Sequence, residues 1–230
     1  MWLPWLAHLY TGLGVVAALA AALAVIAGDY RGAFIWLGVQ IAIDATDGLL
    51  ARALRVQERL PNFDGGRLDD IIDYLTYVFV PVLLLLHAQL LPQRWGVVVA
   101  SVVLLASGYG FSQTSAKMKT TDYFFTGFPS YWNLVALYLF VCRLPQEVNA
   151  AILLTFAVLV FVPLRYVYPS RTQTLNGVTN VLGAVWALVT MWMVWRLPVI
   201  DRRLVALSFV FPVYYFFLSF YLDRRTRRSA

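Results

Sequence analysis

Residues 32–54 read GAFIWLGVQIAIDATDGLLARAL, and this stretch decides what kind of fold the chain adopts. Residues 32–43 pass without a charge; then Asp44 and Asp47 arrive one helical turn apart, and Arg52 follows near the end of the run. A membrane strand would alternate apolar and polar side chains. Here the apolar block is continuous, as it is again at 78–86 (VFVPVLLLL), which argues for helices. Working outward, apolar segments lie near 5–27, 33–54, 71–91, 95–111, 129–141, 148–168, 175–195 and 204–222. A transmembrane helix takes roughly 20 mostly apolar residues. Across all 230 residues 61% are apolar and 13% charged, about half the charge of a soluble domain. A water-soluble globule is therefore excluded, and the expected fold is an all-α integral membrane protein of eight helices. No repeat or low-complexity linker divides it, so residues 1–230 read as one membrane domain.

The arginines and lysines orient the helices. The first apolar segment has no basic residue before it and is longer than a signal-peptide core, so it reads as a retained helix. With the N-terminus in the cytoplasm, the inner side receives Arg52, Arg55, Arg59, Arg67, Lys117, Lys119, Arg165, Arg171 and the four arginines of the C-terminal DRRTRR run. The outer side receives Arg31, Arg94, Arg143, Arg196, Arg202 and Arg203. Twelve against six favours both termini inside under the positive-inside rule. Basic residues that flank apolar segments in this way are topology anchors, so the net charge of +6 does not call for nucleic acid. The single cysteine, Cys142, excludes a disulfide framework and a CxxC metal site.

The acids are the anomaly. Seven of the twelve fall between positions 44 and 73: Asp44, Asp47, Glu58, Asp64, Asp69, Asp70 and Asp73. An aspartate at mid-helix depth costs about 2.5–3.5 kcal/mol on insertion scales, and clustered carboxylates also repel one another. Arg52, Arg55, Arg59 and Arg67 are too few to neutralise them. At about 100° per residue, Asp44, Asp47, Gly48 and Ala51 share one helix face. Asp69 and Asp73, spaced i and i+4, stack on one face of the next helix, with Asp70 aside. Helix capping would account for Asp69 and Asp70 near a helix start. It does not account for Asp44 and Asp47 near a helix end, where the dipole disfavours anions. Facing carboxylate pairs at the inner membrane surface suit a hard divalent cation such as Mg²⁺, Mn²⁺ or Ca²⁺.

The segment Asp44-x-x-Asp47-Gly48-x-x-Ala51-Arg52, followed by Gly65-x-x-x-Asp69-x-x-x-Asp73, resembles the signature of the CDP-alcohol phosphotransferases. Eight fixed residue types at fixed spacings make the resemblance specific. The twelve-residue spacer 53–64 is longer than in most members and, like the run KMKTTDYFFTGFPSYWN at 117–133, looks like the bacterial phosphatidylcholine synthase branch. That resemblance implies transfer of the phosphatidyl group of CDP-diacylglycerol to choline, with Mn²⁺ or Mg²⁺ as cofactor, on the cytoplasmic face of a bacterial inner membrane. It implies that Asp44, Asp47, Asp69 and Asp73 hold the cations and that Asp73 takes the acceptor's proton. It also implies that Asp47, Gly48, Ala51, Arg52 and Gly65 receive the CDP part. Besides the two substrates and membrane lipid, a homodimer is allowed.

Choline is a quaternary ammonium, which proteins hold against aromatic faces. Tyr123, Phe124, Phe125, Phe128, Tyr131 and Trp132 place six aromatics within ten residues and are the expected cage, an interfacial aromatic belt being the plainer reading. Lys117, Lys119 and Arg171 are candidates for the lipid phosphates, or else topology anchors. Asn176 and Asn180 are expected to hydrogen-bond a neighbouring helix, and His8 and His87, with no Ser/His/Asp grouping, to be structural. Two alternatives remain: a related enzyme using serine, inositol phosphate or glycerol phosphate as acceptor, and a cation carrier. A carrier would place its acids near the midplane and show paired repeats, and neither is present.

Overall fold

Helices α1 (Leu3–Ile26) and α2 (Tyr30–Ala53) open the chain as an antiparallel pair in the computed structural model, which describes residues 2–113, 117–118, 124–167 and 175–229. Small residues let the pair close. Ala17, Ala18 and Ala21 of α1 are buried, and a Cβ on Gly14 would run into the side chains of Gln40 and Ile72. Without a hydrophobic force between helices in lipid, such close backbone approach is the main source of packing energy. Asp29 caps α2 by accepting the Gly32 N–H at 2.9 Å.

A short helix α3 (Val56–Arg59) and a turn lead to α4 (Gly65–Asp73), a π-helical stretch at Tyr74–Phe79, and α5 (Val80–His87). These last three form one continuous rod, Gly65–His87. The wider π turn precedes Pro81, which has no N–H to donate, and such bulges are frequent at functional sites. Asp64 is the N-cap, accepting from Arg67 N–H at 3.1 Å, so the rod begins six residues before the apolar segment expected at 71–91. That corrects one premise: Asp69 and Asp70 lie inside the helix and cap nothing.

There follow α6 (Gly96–Ser112), α7 (Trp132–Cys142), α8 (Gln146–Phe161), α9 (Asn176–Trp195), α10 (Arg202–Ser208) and α11 (Val210–Ser229). Among the described residues, five helical stretches are long and apolar enough to cross a membrane: Leu3–Ile26, Tyr30–Ala53, Gly65–His87, Asn176–Trp195 and Arg202–Arg224. Gly96–Ser112, Trp132–Cys142 and Gln146–Phe161 are apolar but shorter. Each expected apolar segment thus has its helix. The core runs through α5–α8, where Leu84, Leu85, Val103, Ala136 and Leu153 are at most 1% exposed. Outward, α1 exposes Leu6, Leu9, Leu13, Val16, Leu19 and Leu23, and α9 exposes Val181, Val185, Leu188 and Trp192. Stripes of this kind mark surfaces that face a membrane or an apolar partner.

The expectation of helices alone needs one amendment. Strands β1 (Lys117–Met118), β2 (Phe124–Thr126) and β3 (Arg165–Val167) form an antiparallel sheet in the order β1-β2-β3, with Lys117 opposite Phe125 and Phe125 opposite Tyr166. The segment expected to stay helical over 148–168 ends at Phe161, because Pro163 forces Val162 into an extended conformation (ψ 124°). The freed chain pairs with β2 and packs under α11, where Tyr166, Tyr215, Leu218 and Leu222 form a second apolar cluster. Gly127 joins the sheet to the core with φ +84°, its N–H donating to Leu164 O at 2.9 Å, and a Cβ there would strike the Val160 carbonyl. Gly127→Ala is expected to lower stability by about 2 kcal/mol, from the left-handed backbone alone, read as a fall in the unfolding midpoint in detergent.

Candidate active site

Antiparallel pairing of α1 with α2, and of α2 with the Gly65–His87 rod, brings one end of each helix to the same level. There Asp44 and Asp47 of α2 meet Asp69 of α4, each offering a carboxylate oxygen within 4.8 Å of the other two. Asp47 is 9% exposed. Asp44 and Asp69 are half-buried; carboxylates this close repel one another, and a hard divalent cation with oxygen ligands is the counter-charge their geometry fits. Asp73, one turn beyond Asp69 and four residues before Tyr77, lies outside this three-membered group. Asp70 turns away into a groove of about 420 Å³ between the rod and α6, lined also by Arg67, Tyr74 and Phe111. Arg67 pairs there with Asp64 at 3.5 Å, an exposed contact worth little.

Two hydroxyls from other elements hold the acids. Thr11 Oγ1 of α1 donates to Asp47 Oδ2 at 2.8 Å, and Tyr77 Oη of the π stretch donates to Asp44 Oδ2 at 2.7 Å. Neither residue was singled out from the sequence. Tyr77 could have been, since Asp69, Asp73 and Tyr77 are spaced four apart. Thr11 carries no local signal, because only the α1–α2 packing brings it to Asp47.

The small residues of the motif have visible surroundings. Arg52 reaches back along its helix so that a Cβ on Gly48 would stand 3.2 Å from its Nη1. Gly65 opens α4 against the ring of His8, and a Cβ there would come within 2.7 Å of His8 Cε1. His8 is itself packed between Trp5 and Phe63, with ring centroids at 5.9 Å and 4.2 Å. Close packing against His8 is one reason for glycine at position 65.

The aromatic run divides. Trp132 is fully buried; its Nε1 donates to Ser107 Oγ at 2.7 Å, and its ring packs on Phe128 with centroids at 5.1 Å. Phe128 is 6% exposed and stacks on Phe156 at 4.7 Å. Both are core side chains with no open face for a ligand, so the cage expected around them is corrected. Tyr131, by contrast, is only part-buried and faces Tyr77 with ring centroids 6.0 Å apart, beside Asp44. Lys119, Tyr123 and Arg171 lie outside the described residues, and Lys117 is described only as backbone of β1. Asn180 donates to Asn176 at 2.6 Å along its own helix, while His87 Nδ1 meets Tyr30 Oη at 3.1 Å at the far end of α2.

No protein-family model matches the chain. Curated relatives do. A phosphatidylcholine synthase of Legionella pneumophila is 34% identical over 224 residues, covering 94% of this chain and 87% of the relative. The chain belongs to this family. A phosphatidylcholine synthase of Pseudomonas aeruginosa is 35% identical, with 92% and 88% covered, and one of Legionella bozemanae is 37% identical, with 81% and 89% covered. Matches over 92–94% of the chain take in both halves of the aspartate motif, so the family is identified over most of the chain and not on the signature alone.

Proposed function

We propose that this chain transfers the phosphatidyl group of CDP-diacylglycerol to choline, releasing CMP, and that it does so as one membrane-embedded domain of eight spans. The observation that carries the reading is the meeting of Asp44, Asp47 and Asp69 within 4.8 Å, on a chain of this family. Asp44, Asp47 and Asp69 hold the divalent cation, Mn²⁺ or Mg²⁺, with Asp73 completing the set. The ion, when bound, supplies positive charge against the pyrophosphate, and phosphoryl transfer is catalysed mainly by such charge and by positioning.

The remaining work falls to the protein. Asp47, Gly48, Ala51, Arg52 and Gly65 receive the CDP part, with the Arg52 guanidinium on its phosphate. Lys117, Lys119 and Arg171 are assigned to the lipid phosphates. Choline's hydroxyl oxygen bonds to the lipid-side phosphorus as the bond from that phosphorus to the CMP oxygen breaks, and CMP leaves with the electron pair. The hydroxyl proton passes to Asp73, which must lie within hydrogen-bond reach of the acceptor. Tyr131, which faces the Tyr77 whose hydroxyl bonds Asp44, is retained for the quaternary ammonium, with Tyr123 as a further contributor. Both termini and the site face the cytoplasm of a bacterial inner membrane. Positively charged choline suits a site this acidic better than inositol phosphate or glycerol phosphate would, and serine is the nearest rival.

Purified protein in detergent is to be given CDP-diacylglycerol and Mn²⁺, with choline, serine or glycerol phosphate offered separately. CMP release with choline alone is the expected result, abolished by EDTA and restored by Mn²⁺ or Mg²⁺. Release with another acceptor and not choline overturns the acceptor assignment, and release with none overturns the reaction class.

A further inference from the structure

Two hydroxyls from outside the acidic cluster donate to it, and they come from different elements of the fold. Thr11 lies on the third turn of α1, Tyr77 on the π stretch beyond Asp73, and each donates to the Oδ2 atom of a different α2 aspartate. A carboxylate on a short side chain turns easily about its last bond, so a ligand of this kind needs a partner to fix which way it points. In metal sites those outer partners set ligand orientation, and their loss typically weakens the metal about 10–100-fold.

We propose that Thr11 and Tyr77 are positioning residues that fix the carboxylates of Asp44 and Asp47 for the divalent cation, a role that rests on the metal reading above. The surroundings make both hydroxyls rigid. Tyr10, next to Thr11, bonds Thr46 at 2.8 Å, so α1 and α2 are tied by adjacent residues at the level of Asp47. Tyr77, on the π stretch Tyr74–Phe79, packs against Tyr131 with ring centroids 6.0 Å apart. The first helix, which carries no Asp, Glu, Lys or Arg, thereby becomes part of the active site through one hydroxyl.

The test is direct Mn²⁺ binding to the full-length protein in detergent, without substrates, read from the electron paramagnetic resonance signal of free Mn²⁺. Thr11→Val and Tyr77→Phe are each expected to weaken Mn²⁺ binding 10–100-fold and to raise by a similar factor the Mn²⁺ concentration that half-saturates turnover. Thr11→Ser, which keeps the hydroxyl, is expected to restore binding to within about threefold of the parent. Asp44→Asn is the control. If it loses Mn²⁺ while Thr11→Val and Tyr77→Phe bind as the parent does, the positioning role is wrong and the metal site stands. If Asp44→Asn binds Mn²⁺ as the parent does, the metal reading itself has failed. Lowered unfolding midpoints with unchanged Mn²⁺ affinity would assign both hydroxyls to packing alone and overturn the proposal.

Discussion

Asp44→Asn is expected to cut phosphatidyl transfer by three orders of magnitude or more while leaving the protein folded. Removing one charged element from a phosphoryl-transfer site typically costs about 10³–10⁵ in turnover. Asp44 is one of three aspartates whose oxygens converge within 4.8 Å, so its loss removes both a ligand and a share of the site's charge. The substitution keeps shape and removes only charge, and in doing so it relieves repulsion among the clustered carboxylates. The unfolding midpoint in the absence of metal should therefore hold or rise as activity falls. Asp47→Asn and Asp69→Asn should behave alike, and Asp70→Asn should not, since Asp70 lines the groove toward α6. Initial rates of CMP release and unfolding midpoints on the same preparations check all four; a fall in midpoint matching the fall in rate would make these aspartates structural.

Trp132→Ala is expected to do the opposite, destabilising the protein without changing its choline requirement. Truncating a buried tryptophan costs about 3–5 kcal/mol, because the removed contacts with Phe128 and Phe156 leave a cavity. The loss also strips Ser107 Oγ of the indole N–H that it accepts at 2.7 Å in a buried setting. What protein survives in detergent should show an unfolding midpoint lowered by many degrees and an unaltered KM for choline. Tyr131→Leu should show the converse, a raised KM for choline with little change in midpoint. A raised choline KM for Trp132→Ala would return that side chain to the ammonium site.

These two outcomes mark how far the sequence could be read. Asp44 and Asp47 were legible because burying carboxylates in an apolar helix is expensive, so their presence already demanded a function. Their meeting with Asp69 followed from helical spacing and a short connection. The aromatic run was not legible in the same way, since Phe128 and Trp132 look alike in sequence whether they face lipid, ligand or core. Only the partner Ser107, on another helix, decides it. Thr11 was invisible for the same reason, being one threonine in an apolar helix, made functional by a neighbour 36 residues away. Pro163, by contrast, was a readable signal: a residue before proline favours extended backbone, and the strand at Arg165–Val167 follows from that stop. Asp64 announced the helix start in the same local manner, as a capping residue three before Arg67.

The account stands on one physical claim, that carboxylates of α2 and α4 share a divalent ion. A crystal grown with Mn²⁺ and recorded at the manganese absorption edge tests it most directly. The account predicts an anomalous peak in contact with the carboxylates of Asp44, Asp47 and Asp69, absent from the Asp44→Asn protein. Manganese bound elsewhere, with those three side chains turned apart, would contradict it.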